Sequence, residues 1–420
     1  MFCMQVVIIA EGLSQARMKK LRSNLVILFF LMVVVMIGFG IIIPIMPFYI
    51  ESMGADATQL GMLMAVFSIM QFLFAPMWGS ISDRIGRKPV LLLGALGNAL
   101  TQLMMGFSTE YWMLFASRAL AGVLSSATLP TAMAYISDST DTKGRSGGMG
   151  IIGAAMGVGM VLGPGMGGWL AESALSTPFF LAAGLSMVSV LLIAIFLPES
   201  LSKEARAQHT GERLRGPQFN LMWRELWGPL GFLLFLAFLI NFALANFEGI
   251  FGLYTAHRFD YGPGQVGSVM TVIGLASALV QGVATGPVTA RFGEGKVIKV
   301  SLVASAVGFI LMLLATNYIT VLLTVGLFVT ANAMLRPAIA SVTSKQTEGG
   351  QGIAMGLNNA FQSLGRTAGP LWAGFMFDIN ISYPYLTAAA IMFAAFLYTL
   401  RVPRQRLDPV EDHPLPASMD

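Results

Sequence analysis

Of the 21 acidic residues in the chain, Glu248 alone lies deep inside an apolar run. An ion at the centre of a bilayer costs at least about 2.5 kcal/mol even on the lenient insertion scale, so a carboxyl retained there is expected to be functional. Its neighbours Asn241, Ala245, Glu248 and Gly252 form an i, i+4, i+7, i+11 stripe of polar and small residues, which a helix turns toward a bundle interior. Burial disfavours the charged carboxylate. Glu248 is therefore expected to load a proton from one side of a membrane and to lose it when hydrated on the other. The alternative is a carboxyl paired permanently with a buried arginine. Three arginines also fall within apolar runs. Arg118, with Gly122 and Ser125, makes a stripe comparable to that of Glu248, and Asn358, Gln362 and Gly365 make another. Arg336 precedes Pro337 near a helix end, where snorkelling or satisfying freed carbonyls accounts for it. Arg366 is open to three readings: a partner of Glu248, a substrate ligand, or a bridge between helices. Phe242, Phe247, Phe251 and Tyr254 cluster near Glu248. Aromatic faces, adaptable thioethers and a single acid would accept bulky lipophilic cations with little shape selectivity.

The elements that must position these groups are membrane helices. Hydrophobic residues make up 55% of the chain and charged ones 11%, far from the roughly 25% charged norm of soluble domains. Mean hydropathy is +0.73. The single cysteine, Cys3, excludes an internal disulfide and a thiolate metal cluster, and three histidines leave little for any metal site. The run 24–50 is long enough to cross a hydrocarbon core of roughly 30 Å. Further runs follow at 60–81, 89–107, 112–136, 146–170, 178–197, 229–256, 266–290, 297–316, 318–342, 352–377 and 383–400, for twelve expected spans. The first 17 residues read as an unstructured extension or a misassigned start, because their bases follow the apolar stretch instead of preceding it as in a signal peptide.

Cytoplasmic loops retain Lys and Arg. With the N-terminus inside, 21 of the 25 Lys and Arg fall on the cytoplasmic side and only Arg258 falls outside. The outer loops then hold Glu51, Asp56, Glu110, Glu172, Asp260 and Asp378. Both termini are expected to be cytoplasmic. The polar stretch 198–228 links a half at 24–197 to a half at 229–400, with an arm at 1–23 and a tail at 401–420. The halves resemble each other. Pro130, Ser137 and Thr140 recur 207 residues on as Pro337, Ser344 and Thr347. At an offset of 206, Met149, Gly150, Gly159, Gly163, Pro164 and Gly168 recur as Met355, Gly356, Gly365, Gly369, Pro370 and Gly374. Repeated halves fit a transporter that rocks one bundle against the other around a midplane site.

Between the second and third runs, Gly79 to Leu92 reads as a short charged loop, a cytoplasmic hairpin carrying Gly79, Asp83, Arg84, Gly86, Arg87 and Lys88. It resembles the Gly-x-Leu-x-Asp-Arg-x-Gly-Arg-Lys signature of the major facilitator superfamily, with Ile81 in place of Leu. Gly159, Gly163, Pro164, Gly167 and Gly168 resemble the antiporter motif of that family's drug:proton exporters. Arg118-Ala-Leu-Ala-Gly122 resembles the motif whose arginine serves proton coupling, with Ala121 in place of Gln. Gly38 to Pro47 is similar to a first-helix motif of the twelve-helix drug exporters. Relatives with a second acid in helix 10 differ from this chain, which has Asn332, Ala333 and Met334 ahead of Arg336.

The resemblance implies an all-α membrane protein of twelve helices in two six-helix halves. It implies efflux of lipophilic, often cationic drugs across the inner or plasma membrane. Glu248 and Arg118 would couple protons. Asn241, Phe247, Phe251, Tyr254, Gln362 and Arg366 would line the cavity. Asp83 would cap helix amides or pair with an arginine of the other half, as a cytoplasmic latch. For the Gly-Pro run the alternatives are close packing and bending. Gly286 to Lys296 repeats the opening loop 207 residues on, but Ala290 stands where the first copy has Asp83, which makes the repeat the weaker latch. No Gly-x-x-x-x-Gly-Lys-Ser/Thr is present, so a nucleotide drive is not expected. No cofactor, metal or nucleic-acid partner is expected; small lipophilic molecules, protons and the bilayer are, and the chain is expected to act as a monomer, not as an enzyme. Export of a sugar or other metabolite, proton-coupled import, and a non-transporting sensor are the competing readings.

Overall fold

The computed structural model describes residues 2–140, 142–209, 216–228, 230–346, 351–402 and 407, with the backbone alone for 2–23, 142–144, 146, 209, 351 and 352. Thr347 and the side chains of Lys143, Arg213, Arg215, Arg404 and Arg406 lie outside the described residues, as do the side chains of the 1–17 stretch. Among the described residues all regular structure is helical. The segments are α1 (Phe2–Ser52), α2 (Ala57–Ile85), α3 (Arg87–Gly106), α4 (Tyr111–Leu124), α5 (Thr128–Ser139), α6 (Thr142–Ala171), α7 (Thr177–Phe196), α8 (Lys203–His209), α9 (Phe219–Leu226), α10 (Gly231–Phe259), α11 (Pro263–Leu279), α12 (Thr285–Phe292), α13 (Glu294–Leu314), α14 (Tyr318–Lys345), α15 (Gln351–Ile379) and α16 (Tyr383–Arg401). Helix is thus assigned from Phe2, ahead of the expected start at 24.

Eleven of the described helices, α4 and α5 counted together and α11 and α12 likewise, are long and apolar enough to cross a membrane. α15 is long enough at 29 residues, but Asn358, Asn359, Gln362, Ser363, Arg366 and Thr367 keep it below that hydropathy. Two spans change their winding partway. Ser125–Ala127 tightens to 3-10 just before Pro130, whose ring nitrogen cannot bond the Ser126 carbonyl. Val280–Ala284 widens to a π turn ahead of Pro287, where Thr285 Oγ1 donates to the Val280 carbonyl at 2.9 Å.

The helices group into two compact units. The first comprises residues 1–49, 70–217 and 262–271, the second 50–69, 218–261 and 272–420. Each unit therefore includes a helix end from the other sequence half. In the first unit Leu28, Leu31 and Met32 of α1 pack with Leu91 and Ala95 of α3, Tyr135 and Ile136 of α5 and Ile193 of α7. In the second, α10 lies along α15, and α13 along α14.

The borrowed ends are built alike. In the second unit Asp378, at the end of α15, accepts from the Ala57 and Thr58 amides at 3.1 and 2.9 Å, filling orphan donors at the start of α2. Asp56 and Gln59 complete that start as a reciprocal capping box. In the first unit Glu172, 206 residues before Asp378, sets its carboxylate against Gly264 at the start of α11, and Gln265 accepts from the Gly262 amide at 2.8 Å. Gly61 and Gly267, also 206 apart, each leave room for a proline carbonyl, Gly61 for that of Pro370 and Gly267 for that of Pro164.

Candidate functional site

The antiporter-like glycines are contact surfaces. In α6, a Cβ added at Gly159 would lie 2.7 Å from the Val33 carbonyl, one at Gly163 would lie 2.9 Å from Gly40 Cα, and one at Gly167 would lie 3.0 Å from Ile41 Cα. All three face α1. Gly168 faces Pro263 and Gly267 instead. Pro164 Cδ in turn would lie 2.9 Å from a Cβ at Gly40. The repeat does the same in the second unit. Gly365 and Gly369 seat α15 on α10, with the Phe242 and Asn246 amides 2.8 and 2.9 Å from the added Cβ atoms. Backbones this close are what small-xxx-small faces permit.

That seam places the stripe on α10. Asn241 and Ala245 are buried beneath Gly365 and Gly369, and Glu248 follows one turn on, half-buried. Arg336 on α14 and Arg366 on α15 both lie within electrostatic reach of the Glu248 carboxylate, and of each other. The Arg336 guanidinium donates through Nη2 to Asn241 Oδ1 at 3.1 Å, while the Asn241 amide donates to the Ala237 carbonyl at 2.9 Å. Arg366 donates to Ser363 Oγ at 2.9 Å. Arg336 thus turns into the protein toward α10 instead of snorkelling, because a buried amide oxygen offers it a partner there. Among the described residues no cation comes within the 4.0 Å of an ion pair with Glu248, which corrects the reading of a permanent buried pair. Gln362 is half-buried one turn before Arg366.

The aromatic calls are corrected. Phe247, Phe251 and Tyr254 are at most 2% exposed and form the core of the second unit. Phe247 meets Phe251 and Phe328, and Tyr254 meets Tyr385 at 4.5 Å and accepts from Arg258 at 2.8 Å. They form their own i, i+4, i+7 face, about a third of a turn from the Glu248 stripe, so they have no surface to offer cargo. Arg118, 2% exposed, lies in the first unit on α4, which packs against α3.

The opening motif is a helix break and not a loop. α2 runs on through Gly79 to Ile85, only Gly86 is non-helical, and α3 begins at Arg87. Gly86 has φ 108°, a region that strains any residue with a Cβ. Asp83 is partnered within its own unit: its carboxylate pairs with Arg87 four residues on, at 2.6 Å. Arg87, 6% exposed, also pairs with Asp138 at 2.8 Å and donates to Ser82 Oγ at 2.6 Å. The amide-capping role expected of Asp83 belongs to Glu199, which accepts from the Arg87 and Lys88 amides at 2.8 and 3.2 Å and pairs with Arg206 at 3.2 Å. Lys88 donates to the Ala194 carbonyl, and Arg84 on the last turn of α2 is half-buried. Asp138, Glu199 and Arg206 escaped the sequence reading, since each sits alone at a helix end or in the polar linker.

The second copy reverses the charges. Gly293 has φ 80°, and Glu294 beside it pairs with Lys345 at 2.8 Å, the positions 207 residues after Arg87 and Asp138. The triple change Asp83→Ala, Arg87→Glu, Asp138→Lys therefore installs the second half's residues in the first. Arg87→Glu alone, facing two acids, is expected to lose about 3 kcal/mol. The triple variant is expected to recover most of that loss, read as melting temperature in detergent.

Comparison with known proteins agrees with this architecture. The family model described as Major Facilitator Superfamily matches residues 28–262 and 233–418. Multidrug resistance protein 2 of Bacillus subtilis (strain 168) is 32% identical over 368 residues, covering 87% of this chain and 92% of that protein. Quinolone resistance protein NorA of Staphylococcus aureus (strain COL) is 27% identical over 382 residues, covering 90% and 96%. The crystal structure of the human organic anion transporter MFSD10 (TETRAN) superposes with a TM-score of 0.64 at 25% identity, over 90% of this chain and 99% of that one. With its helices, its glycine seams and its repeated charged helix breaks accounted for by one fold, the chain belongs to the Major Facilitator Superfamily of membrane transporters.

Proposed function

We propose that this protein exports lipophilic, often cationic drugs across the inner or plasma membrane in exchange for protons. Alternating access moves the cargo, both termini are cytoplasmic, and α15 is the twelfth span. The observation that carries the reading is Glu248, a lone acid deep in a helix, half-buried and free of any ion pair among the described residues. Such a carboxyl can exchange a proton for a cationic cargo group. The names of the relatives, multidrug and quinolone resistance proteins, support the class of cargo. No cofactor takes part. A proton moving down 100 mV contributes about 2.3 kcal/mol, and each pH unit adds about 1.4 kcal/mol. Together these sustain a large gradient of cargo.

Inverted membrane vesicles test the proposal. An imposed pH gradient, acid inside, is expected to drive accumulation of a fluorescent lipophilic cation, and collapsing the gradient with a protonophore is expected to release it. Accumulation that ignores the gradient would overturn the proton drive.

A further inference from the structure

The second unit holds more buried positive than negative charge. Arg336 and Arg366 both act on Glu248 and on each other, and no other acid lies deep in a span anywhere in the chain. With Glu248 ionised, this group carries one net positive charge, and with Glu248 protonated it carries two. A cargo with only positive charge would meet this excess without compensation.

The polar partners of the arginines leave the excess in place. Arg336 has a neutral partner in Asn241, and Arg366 has one in Ser363 of its own helix. Both guanidiniums keep donors to spare, since each carries five N–H groups in a planar fork suited to a carboxylate. Each arginine also continues a polar stripe: Asn332 precedes Arg336 by one turn, and Asn358 and Gln362 precede Arg366. Asn332 Nδ2 and Asn358 Oδ1 are enclosed without a hydrogen-bond partner among the described residues. Buried polar atoms of that kind are costly unless something pairs with them in the working cycle.

We infer that the second unit contains a carboxylate subsite, built on Arg366 with Arg336 behind it, and that the cargo is amphoteric, an aromatic molecule bearing a free carboxylate as well as a cationic amine. The inference rests on the export reading. The cargo carboxylate takes the Arg366 fork and its ammonium takes Glu248. A proton arriving from water on the Glu248 carboxylate then displaces the ammonium, and the loss of that contact frees the cargo. The arginines bind and orient; neither gives up a proton.

The test uses the purified full-length protein and two probes, a zwitterionic xanthene dye with a free carboxylic acid and the methyl ester of the same dye. Binding in detergent is followed by fluorescence anisotropy. The acid is expected to bind about tenfold tighter than the ester, the size of one charge-assisted hydrogen-bonded contact. Arg366→Gln is expected to erase the preference by weakening the acid alone, and Arg366→Lys to restore it in part, because a point charge lacks the fork. Equal or tighter binding of the ester by the wild-type protein overturns the inference, even if Arg366→Gln fails to fold. A preference that survives Arg366→Gln overturns it as well. Export is read separately in inverted vesicles. Binding preference without proton-driven uptake of either dye leaves the subsite standing and removes the export reading, whereas uptake of both dyes without preference does the reverse.

Discussion

Glu248→Gln is expected to abolish pH-driven uptake in inverted vesicles, at least tenfold below wild type, while the protein remains in the membrane at wild-type abundance. The amide has nearly the shape of the carboxylic acid and can still form hydrogen bonds, but it cannot release or accept a proton between pH 5 and 9. As the only acid deep in a span, Glu248 leaves no neighbour to take over. The expectation of retained abundance follows from the geometry. Removing one member of a tight buried pair costs about 3–5 kcal/mol, but no cation holds Glu248 within 4.0 Å among the described residues. The arginines keep their Asn241 and Ser363 partners. A coupling role and a structural role thus separate in one experiment: loss of uptake with unchanged melting temperature supports the first, and loss of the folded protein supports the second. Gradient-driven uptake that persists in Glu248→Gln sinks the coupling role outright.

Much of this was legible in one dimension because a membrane imposes strong local rules. Eleven spans stand out by hydropathy. α15 fails on hydropathy, yet its Gly365, Gly369, Pro370 and Gly374 repeat those of α6, and that repeat marks it in the sequence. The lone acid was also visible, since a charge amid apolar residues is conspicuous whatever the fold.

Direction around a helix was harder to read. Phe247, Phe251 and Tyr254 are sequence neighbours of Glu248, but α10 turns them toward α13, α14 and α16, where Phe309, Phe328 and Tyr385 enclose them. Proximity along the chain stood in for a shared face, and the helical period separates the two. Partners at helix ends were hidden for a different reason: Glu199 follows a span by three residues and looks like one more linker charge. The 206 and 207 offsets did contain a signal for several of them. Carried past the opening motif, they pair Gly61 with Gly267, Asp378 with Glu172, and Asp138 with Lys345. The π turn at Val280–Ala284 had no comparable trace, because Gly286-Pro287 marks a weak point in the helix but not how the preceding turn responds.

Gly163→Leu is expected to prevent α6 from docking on α1, whereas Gly153→Leu in the same helix is expected to leave stability near wild type. The two substitutions have the same helix propensity change, so their difference isolates packing. A Cβ at Gly163 already lies 2.9 Å from both Gly40 Cα and the Ile37 carbonyl oxygen. Those are backbone atoms, and they can yield only by moving a helix. At Gly153 nothing lies within 4 Å. Overpacking a tight interior costs about 1–3 kcal/mol for small additions, so Gly163→Ala is expected to lower the melting temperature in detergent and Gly163→Leu to remove folded protein from the membrane. Gly369→Ala should match Gly163→Ala in the second unit, since its Cβ would lie 2.9 Å from the Asn246 amide. Bending makes the opposite forecast. If α6 works by flexing, stiffening it at Gly150, Gly153 or Gly157, where a Cβ meets open space, should slow transport without touching stability. Alanine at these three positions is expected to leave the transport rate unchanged, because the glycines that press on α1 are Gly159, Gly163 and Gly167, and their spacing of four is that of a seam.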